Sequence, residues 1–100
     1  MKARVSGKAR SDLLEAYRYL VERNSAAAER LVADFDAKLR QIVRFPYIGR
    51  ARPEFGPELR SVLVRNYVVL YSVTELEVIV VRVIDGRMDI DSELGRWPLQ

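Results

Sequence analysis

The pattern of this chain predicts an α+β fold: an N-terminal antiparallel helical hairpin packed on one face of a small, mainly antiparallel β-sheet. Three observations predict it. Apolar residues recur at steps of three and four from Ala9 to Val43. Five breakers (Pro46, Gly49, Pro53, Gly56 and Pro57) then crowd residues 45–58. From Leu59 to Ile84 the composition turns to valine, isoleucine, leucine and tyrosine, interrupted at two polar pairs.

Taken in order, "KARV" at residues 2–5 suits a short strand, and Ser6 stands where it can cap a helix starting just after it. A first helix is expected over Lys8–Arg23, with Ala9, Leu13, Ala16, Tyr17, Leu20 and Val21 on its apolar side. Asn24 or Ser25 caps a second helix, whose stripe runs through Ala28, Val32, Phe35, Leu39 and Ile42 and is widened by Leu31 and Val43. So short a link forces the two helices into an antiparallel hairpin. Residues 45–58 are expected to form an ordered loop, and long loops in small domains are often functional. Strands come next at Leu59–Val64, Tyr67–Val73 and Leu76–Ile84, joined by turns at Arg65-Asn66 and Thr74-Glu75. "VIVV" in the last strand is apolar on both faces, which places that strand centrally. Asp89 or Asp91 is expected to cap a last short helix. The sheet face away from the hairpin is left in need of a partner.

The totals narrow the chemistry. One hundred residues fit one domain, and 49% hydrophobic with 31% charged residues is ordinary for a globular protein. There is no cysteine, so disulfides and thiolate metal sites are excluded. There is no histidine either, which removes the commonest general base and nearly all zinc chemistry. Catalysis would have to run on carboxylates, arginine, lysine or tyrosine. The N-terminus lacks a signal-peptide core and no stretch has the length of a membrane span, so the expected location is the cytoplasm.

Net charge is +3, unevenly spread. Residues 38–65 carry seven cations against Glu54 and Glu58, whereas residues 66–100 carry three cations against six acids. A basic middle suits a polyanion or an acidic partner. Fourteen of the seventeen cations are arginine, the residue suited to forked recognition of carboxylate or phosphate. Arg60, Arg65, Arg82 and Arg87 lie on or beside strands, where a sheet can bring them together. Tyr19 and Leu31 fall off the main stripes and are candidate anchors for a partner, as are exposed valines of the sheet.

The acids at the C-terminal end do not make a metal site. Asp89, Asp91 and Glu93 alternate like the start of a calcium loop, but its sixth position would be Leu94 and its twelfth Gln100. A magnesium pair drawn from Asp85 and Asp89 is weaker than the plain reading, in which Asp85-Gly86 ends a strand. "GKARS" at 7–11 lacks the upstream glycine of a phosphate loop, and no dinucleotide or nucleophile-elbow motif occurs. No cofactor and no metal is expected.

Four segments in order carry a resemblance: "ARSDLLEAYRYL" with the following "AAAERL", "FPYIGRARPE", "ELRSVLVRNYVVLY" and "VIVVRVIDGRMD". Together they resemble the ParE branch of the ParE/RelE toxin superfamily over residues 4–94. The resemblance implies a single toxin domain spanning residues 1–100, part of a type II toxin–antitoxin module and held inactive by a ParD-like antitoxin. It implies DNA gyrase as the target, with DNA reached only indirectly through the antitoxin. On this reading Tyr19, Leu31, Arg60, Arg65, Arg82 and Arg87 contact antitoxin or target, and no residue is catalytic. Two alternatives stand beside it. One is a RelE-like, ribosome-dependent mRNA endoribonuclease, with Arg65 or Arg82 stabilising the transition state and Tyr67 or Tyr71 as acid or base. The other is a non-toxic homologue that still binds an antitoxin. The family's terminal block usually carries histidine where this chain has Asp85.

Overall fold

The computed structural model describes residues 1–88, in the order β1 (Lys2–Val5), α1 (Gly7–Arg23), α2 (Ser25–Arg44), β2 (Arg50–Ala51), β3 (Leu59–Val64), β4 (Tyr67–Val73) and β5 (Glu77–Asp85). The expected caps set both helix starts. Ser6 Oγ accepts the Ala9 N–H at 3.0 Å and Asn24 Oδ1 accepts the Ala27 N–H at 3.1 Å. Each such cap stabilises a helix by about 1 kcal/mol. Asn24 also ends α1, donating its own N–H to the Leu20 carbonyl at 2.7 Å, so one residue turns the hairpin.

The five strands form one sheet in the order β1-β5-β4-β3-β2. The β2–β3, β3–β4 and β4–β5 pairs are antiparallel, and β1 adds to β5 in parallel. The parallel pair follows from the helical hairpin, which is long enough to carry the chain across the sheet between β1 and the meander. β5 therefore has neighbours on both sides, as its two-sided apolar run requires. It starts at Glu77 rather than Leu76, because Thr74 Oγ1 accepts the N–H groups of both Leu76 and Glu77 and holds residue 76 in the turn. The loop expected over 45–58 contains the two-residue strand β2, too short for a periodic signal. The last helix expected from Asp89 or Asp91 lies outside the described residues.

The hairpin covers one face of the sheet. Leu31, Phe35 and Ile42 of α2 and Ala9 of α1 pack on Tyr67, Val69, Tyr71, Val78, Val80 and Val83. Leu31 is 1% exposed, which corrects its expected place on the surface. The buried line of α2 runs through Ala28, Phe35 and Ile42 of the expected stripe, with Leu31 in place of Val32, which is 44% exposed. The opposite face is not simply open either. Val68, Leu70 and Ile84 form a second small core there, with Phe55 from the loop packed against it. Among the described residues no helix is long and apolar enough to cross a membrane.

Candidate functional site

The loop motif resolves into a pinning network. Tyr71 of β4 is buried, yet its hydroxyl donates to the Pro46 carbonyl at 2.8 Å and accepts the Gly49 N–H at 2.9 Å. Arg60 of β3 donates to the Gly49 carbonyl at 2.8 Å and to that of Tyr47 at 3.3 Å, while its guanidinium lies 5.0 Å from the Tyr47 ring centre. A Cβ on Gly49 would collide with the Tyr71 hydroxyl and come within 2.9 Å of the Ser61 carbonyl oxygen. Pro46, Gly49, Arg60 and Tyr71 thus fasten the loop to the sheet. Arg60 is held by its own chain's carbonyls rather than offered to an anion.

The strand-end arginines are likewise held apart. Arg65 sits at the tip of the β3–β4 hairpin with φ 56, a left-handed backbone that non-glycine residues seldom adopt, and bonds Asp34 of α2 at 2.7 Å. Arg82 is 5% exposed. The expected cluster of all four, Arg60, Arg65, Arg82 and Arg87, does not form, because each donates to a different part of the chain, and only Arg82 and Arg87 share a cleft.

Arg82 is buried for a reason rooted in the sheet. β1 pairs with β5 only as far as Val80, so β5 beyond it lacks a strand neighbour on that side. Side chains take over. Ser6 donates its N–H to the Val80 carbonyl and its hydroxyl to the Val81 carbonyl, at 2.9 and 3.1 Å. Asp12 of α1 then accepts the Val83 N–H at 3.0 Å and two bonds from Arg82, at 2.8 and 3.3 Å. The register shifts here: Tyr71 faces Val80 and Leu70 faces Arg82, so Val81 is an extra residue in β5. Such bulges re-aim neighbouring side chains. Asp12 was missed in the sequence, although an acid between Ala9 and Ala16 on the same helical face is a signal for a buried partner.

Tyr19, Arg82 and Arg87 do meet. They line a cleft of about 370 Å³ between α1 and the end of β5, together with Glu15, Tyr67, Asp85 and Met88. Tyr19 is 49% exposed, with the Arg23 guanidinium 3.7 Å from its ring centre. Asp85 accepts the Arg87 N–H and its guanidinium, at 3.0 Å and 2.6 Å, and also bonds the Asn66 amide. The Arg87 side chain is the main reason the Asp85 carboxyl is lowered to about 2. Asp85 raises Arg87 in turn. Tyr67 forms the floor, its hydroxyl pushed up by burial and then by the Asp85 charge. The cleft mixes acids and cations around two tyrosines, a surface that suits recognition of polar and aromatic groups. Asp85-Gly86 also closes the sheet: the Gly86 N–H donates to the Asn66 carbonyl at 2.7 Å, and a Cβ there would approach that oxygen to 2.8 Å.

Comparison with known proteins agrees with this architecture. A family model described as "ParE toxin of type II toxin-antitoxin system, parDE" matches residues 3–90. Toxin ParE3 of Caulobacter vibrioides is 30% identical over 86 residues, covering 85% of this chain and 86% of that protein. A solved structure titled "Chromosomal ParDE TA system from P. aeruginosa" superposes with a TM-score of 0.72. It is 20% identical, covers 85% of this chain and 95% of that one, and bears on the fold alone.

Proposed function

This chain belongs to the ParE toxin family of type II toxin–antitoxin systems, and on that premise we propose that it acts by binding. Its target is DNA gyrase, and a ParD-like antitoxin neutralises it. The protein reaches DNA only through that antitoxin. The cleft of Tyr19, Tyr67 and Arg87 is one of its recognition surfaces, where an exposed aromatic ring and a rim arginine can serve as anchors.

The observation that favours binding over RNA cleavage is the state of the two tyrosines. The Tyr67 and Tyr71 hydroxyls are both raised by burial, and Tyr71 is committed to the loop at Pro46 and Gly49. Proton transfer works best with a group poised near the working pH, and a buried tyrosine pushed upward is far from it. Arg65 and Arg82, the other candidates for the endoribonuclease, are engaged by Asp34 and Asp12. One observation favours the non-toxic reading instead: Asp85 stands at the position where the family usually has histidine.

Induced expression in a bacterial host tests the toxin reading. Growth arrest, relieved by co-expressing a ParD-like antitoxin, is expected. Unimpaired growth would leave only the non-toxic, antitoxin-binding alternative.

A further inference from the structure

We propose that the cleft between α1 and the end of β5 binds the guanidinium of an arginine presented by a partner protein. On the reading above that this cleft is a recognition surface, on which the assignment rests, that partner is the target. What points to a ligand is a buried hydroxyl. Tyr67 lines the cleft and is 7% exposed, yet its hydroxyl has no hydrogen-bond partner among the described residues. The hydroxyl faces the cleft, close enough to Asp85, Arg87 and Tyr19 for their charges to act on it. Tyr71, equally buried, makes two hydrogen bonds. A buried polar group without a partner is costly, so Tyr67 is the group a ligand would satisfy.

Charge selects a cation. Asp12, Glu15 and Asp85 line the cleft with Arg82 and Arg87. Asp12 holds Arg82 by two nitrogens, at 2.8 and 3.3 Å, and Asp85 holds Arg87 by two, at 3.0 and 2.6 Å. Those pairs cancel, and Glu15 is left without an ion pair among the described residues. Two further cations come near without lining the cleft. Lys8 reaches Asp12 at 3.8 Å, from about two helical turns before Glu15. Arg23, beyond Tyr19, is matched by Glu22 at 4.0 Å. An incoming anion would meet Glu15 and Asp85, whose carboxyl is lowered to about 2 and so stays charged.

The aromatic lining favours guanidinium over ammonium. Tyr19 is half exposed, and the guanidinium of Arg23 at 3.7 Å shows that its ring takes a stacked planar cation. A second guanidinium in the cleft can lie against aromatic surface while its fork donates to the Glu15 carboxylate and the Tyr67 oxygen. An ammonium is a compact, strongly hydrated charge without that planar fork. The cleft, at about 370 Å³, has room for one arginine side chain.

The test is nuclear magnetic resonance of the labelled full chain, titrated with a blocked glycine-arginine-glycine peptide. Controls are the same peptide with citrulline, lysine or glutamate for arginine, and agmatine as a free small guanidine. Expected with the arginine peptide are shifts at the amides of Glu15, Tyr19 and Asp85, with Lys38 and Leu63 unmoved. Glu15→Gln, an exposed change, should weaken binding about tenfold at an unchanged melting temperature. Tyr67→Phe should weaken binding too, yet leave the protein at least as stable as the parent, because the deleted hydroxyl has no partner to lose. A clear loss of stability in Tyr67→Phe would overturn the proposal. So would absence of shifts at the cleft, binding untouched by Glu15→Gln, a control peptide that binds as well as arginine, or tighter binding of agmatine. Growth arrest on expression reports the toxin reading separately. Arrest without arginine binding sinks this inference alone, whereas arginine binding without arrest sinks the toxin reading and leaves the cleft a guanidinium site.

Discussion

The Nε of Arg82 lies 2.8 Å from Oδ2 of Asp12, seventy positions away in the chain, and both side chains are under a tenth exposed. The pair fastens α1 to β5 where β1 no longer reaches. Removing one member of a buried pair is costly because the other charge stays buried. Asp12→Ala should therefore lower stability by about 3 kcal/mol, read from urea unfolding. A loss no larger than that of an exposed control such as Asp36→Ala would show that the pair does not hold the helix.

Tyr71 and Gly49 should matter through the loop rather than through chemistry. Tyr71→Phe deletes one donor and one acceptor at a buried position and should cost about 1–3 kcal/mol. Gly49→Ala should cost at least as much, since the added methyl has no room beside the Tyr71 hydroxyl. Differential scanning calorimetry of both variants measures this, and an unchanged melting point in either would refute the network.

Asp85 supplies a pH signature. Its folded value of about 2 lies below the ordinary 3.8, so its contribution to stability is fully present above about 4 and is lost as pH falls toward 2. The stability difference between the parent and Asp85→Asn should shrink across that window and stay flat from pH 5 to 7. Carbon-detected titration of the Asp85 carboxyl should give a midpoint near 2. A midpoint close to 3.8 would mean that the Arg87 contact does not persist in solution.

Leu31 and Tyr19 should separate cleanly. Leu31→Ala opens a cavity in the core and should cost about 2–5 kcal/mol. Tyr19→Ala, on the surface, should cost under about 1 kcal/mol while weakening antitoxin or gyrase binding. Equilibrium unfolding alongside calorimetric binding distinguishes the two, and equal stability losses would contradict the assigned burial.

Both residues also mark how far the sequence can be read. The helices, their caps and four of the five strands follow from local composition, periodicity and capping, and they lie within a residue of where they are expected. Leu31 was misplaced because Leu31 and Val32 both fit an apolar stripe, and only the angle of α2 on the sheet decides between them. Arg82 reads as a strand-edge cation until its partner is known, and Asp12 reaches it only through tertiary folding. A second groove, lined by residues of α2, β2 and β3, was illegible for the same kind of reason. Lys38, Arg50 and Leu63 come from three elements, and the edge of β3 lies open there because β2 stops after two residues. Short-range pattern therefore located the elements, while the surfaces they build depend on register and on where each strand ends.

Inhibition of DNA supercoiling by purified gyrase is the most direct test of the central claim, that this chain acts by binding the enzyme. Supercoiling should fall as the protein is added and recover when the antitoxin is supplied. Full supercoiling at every concentration, from a preparation that arrests growth, would contradict the account.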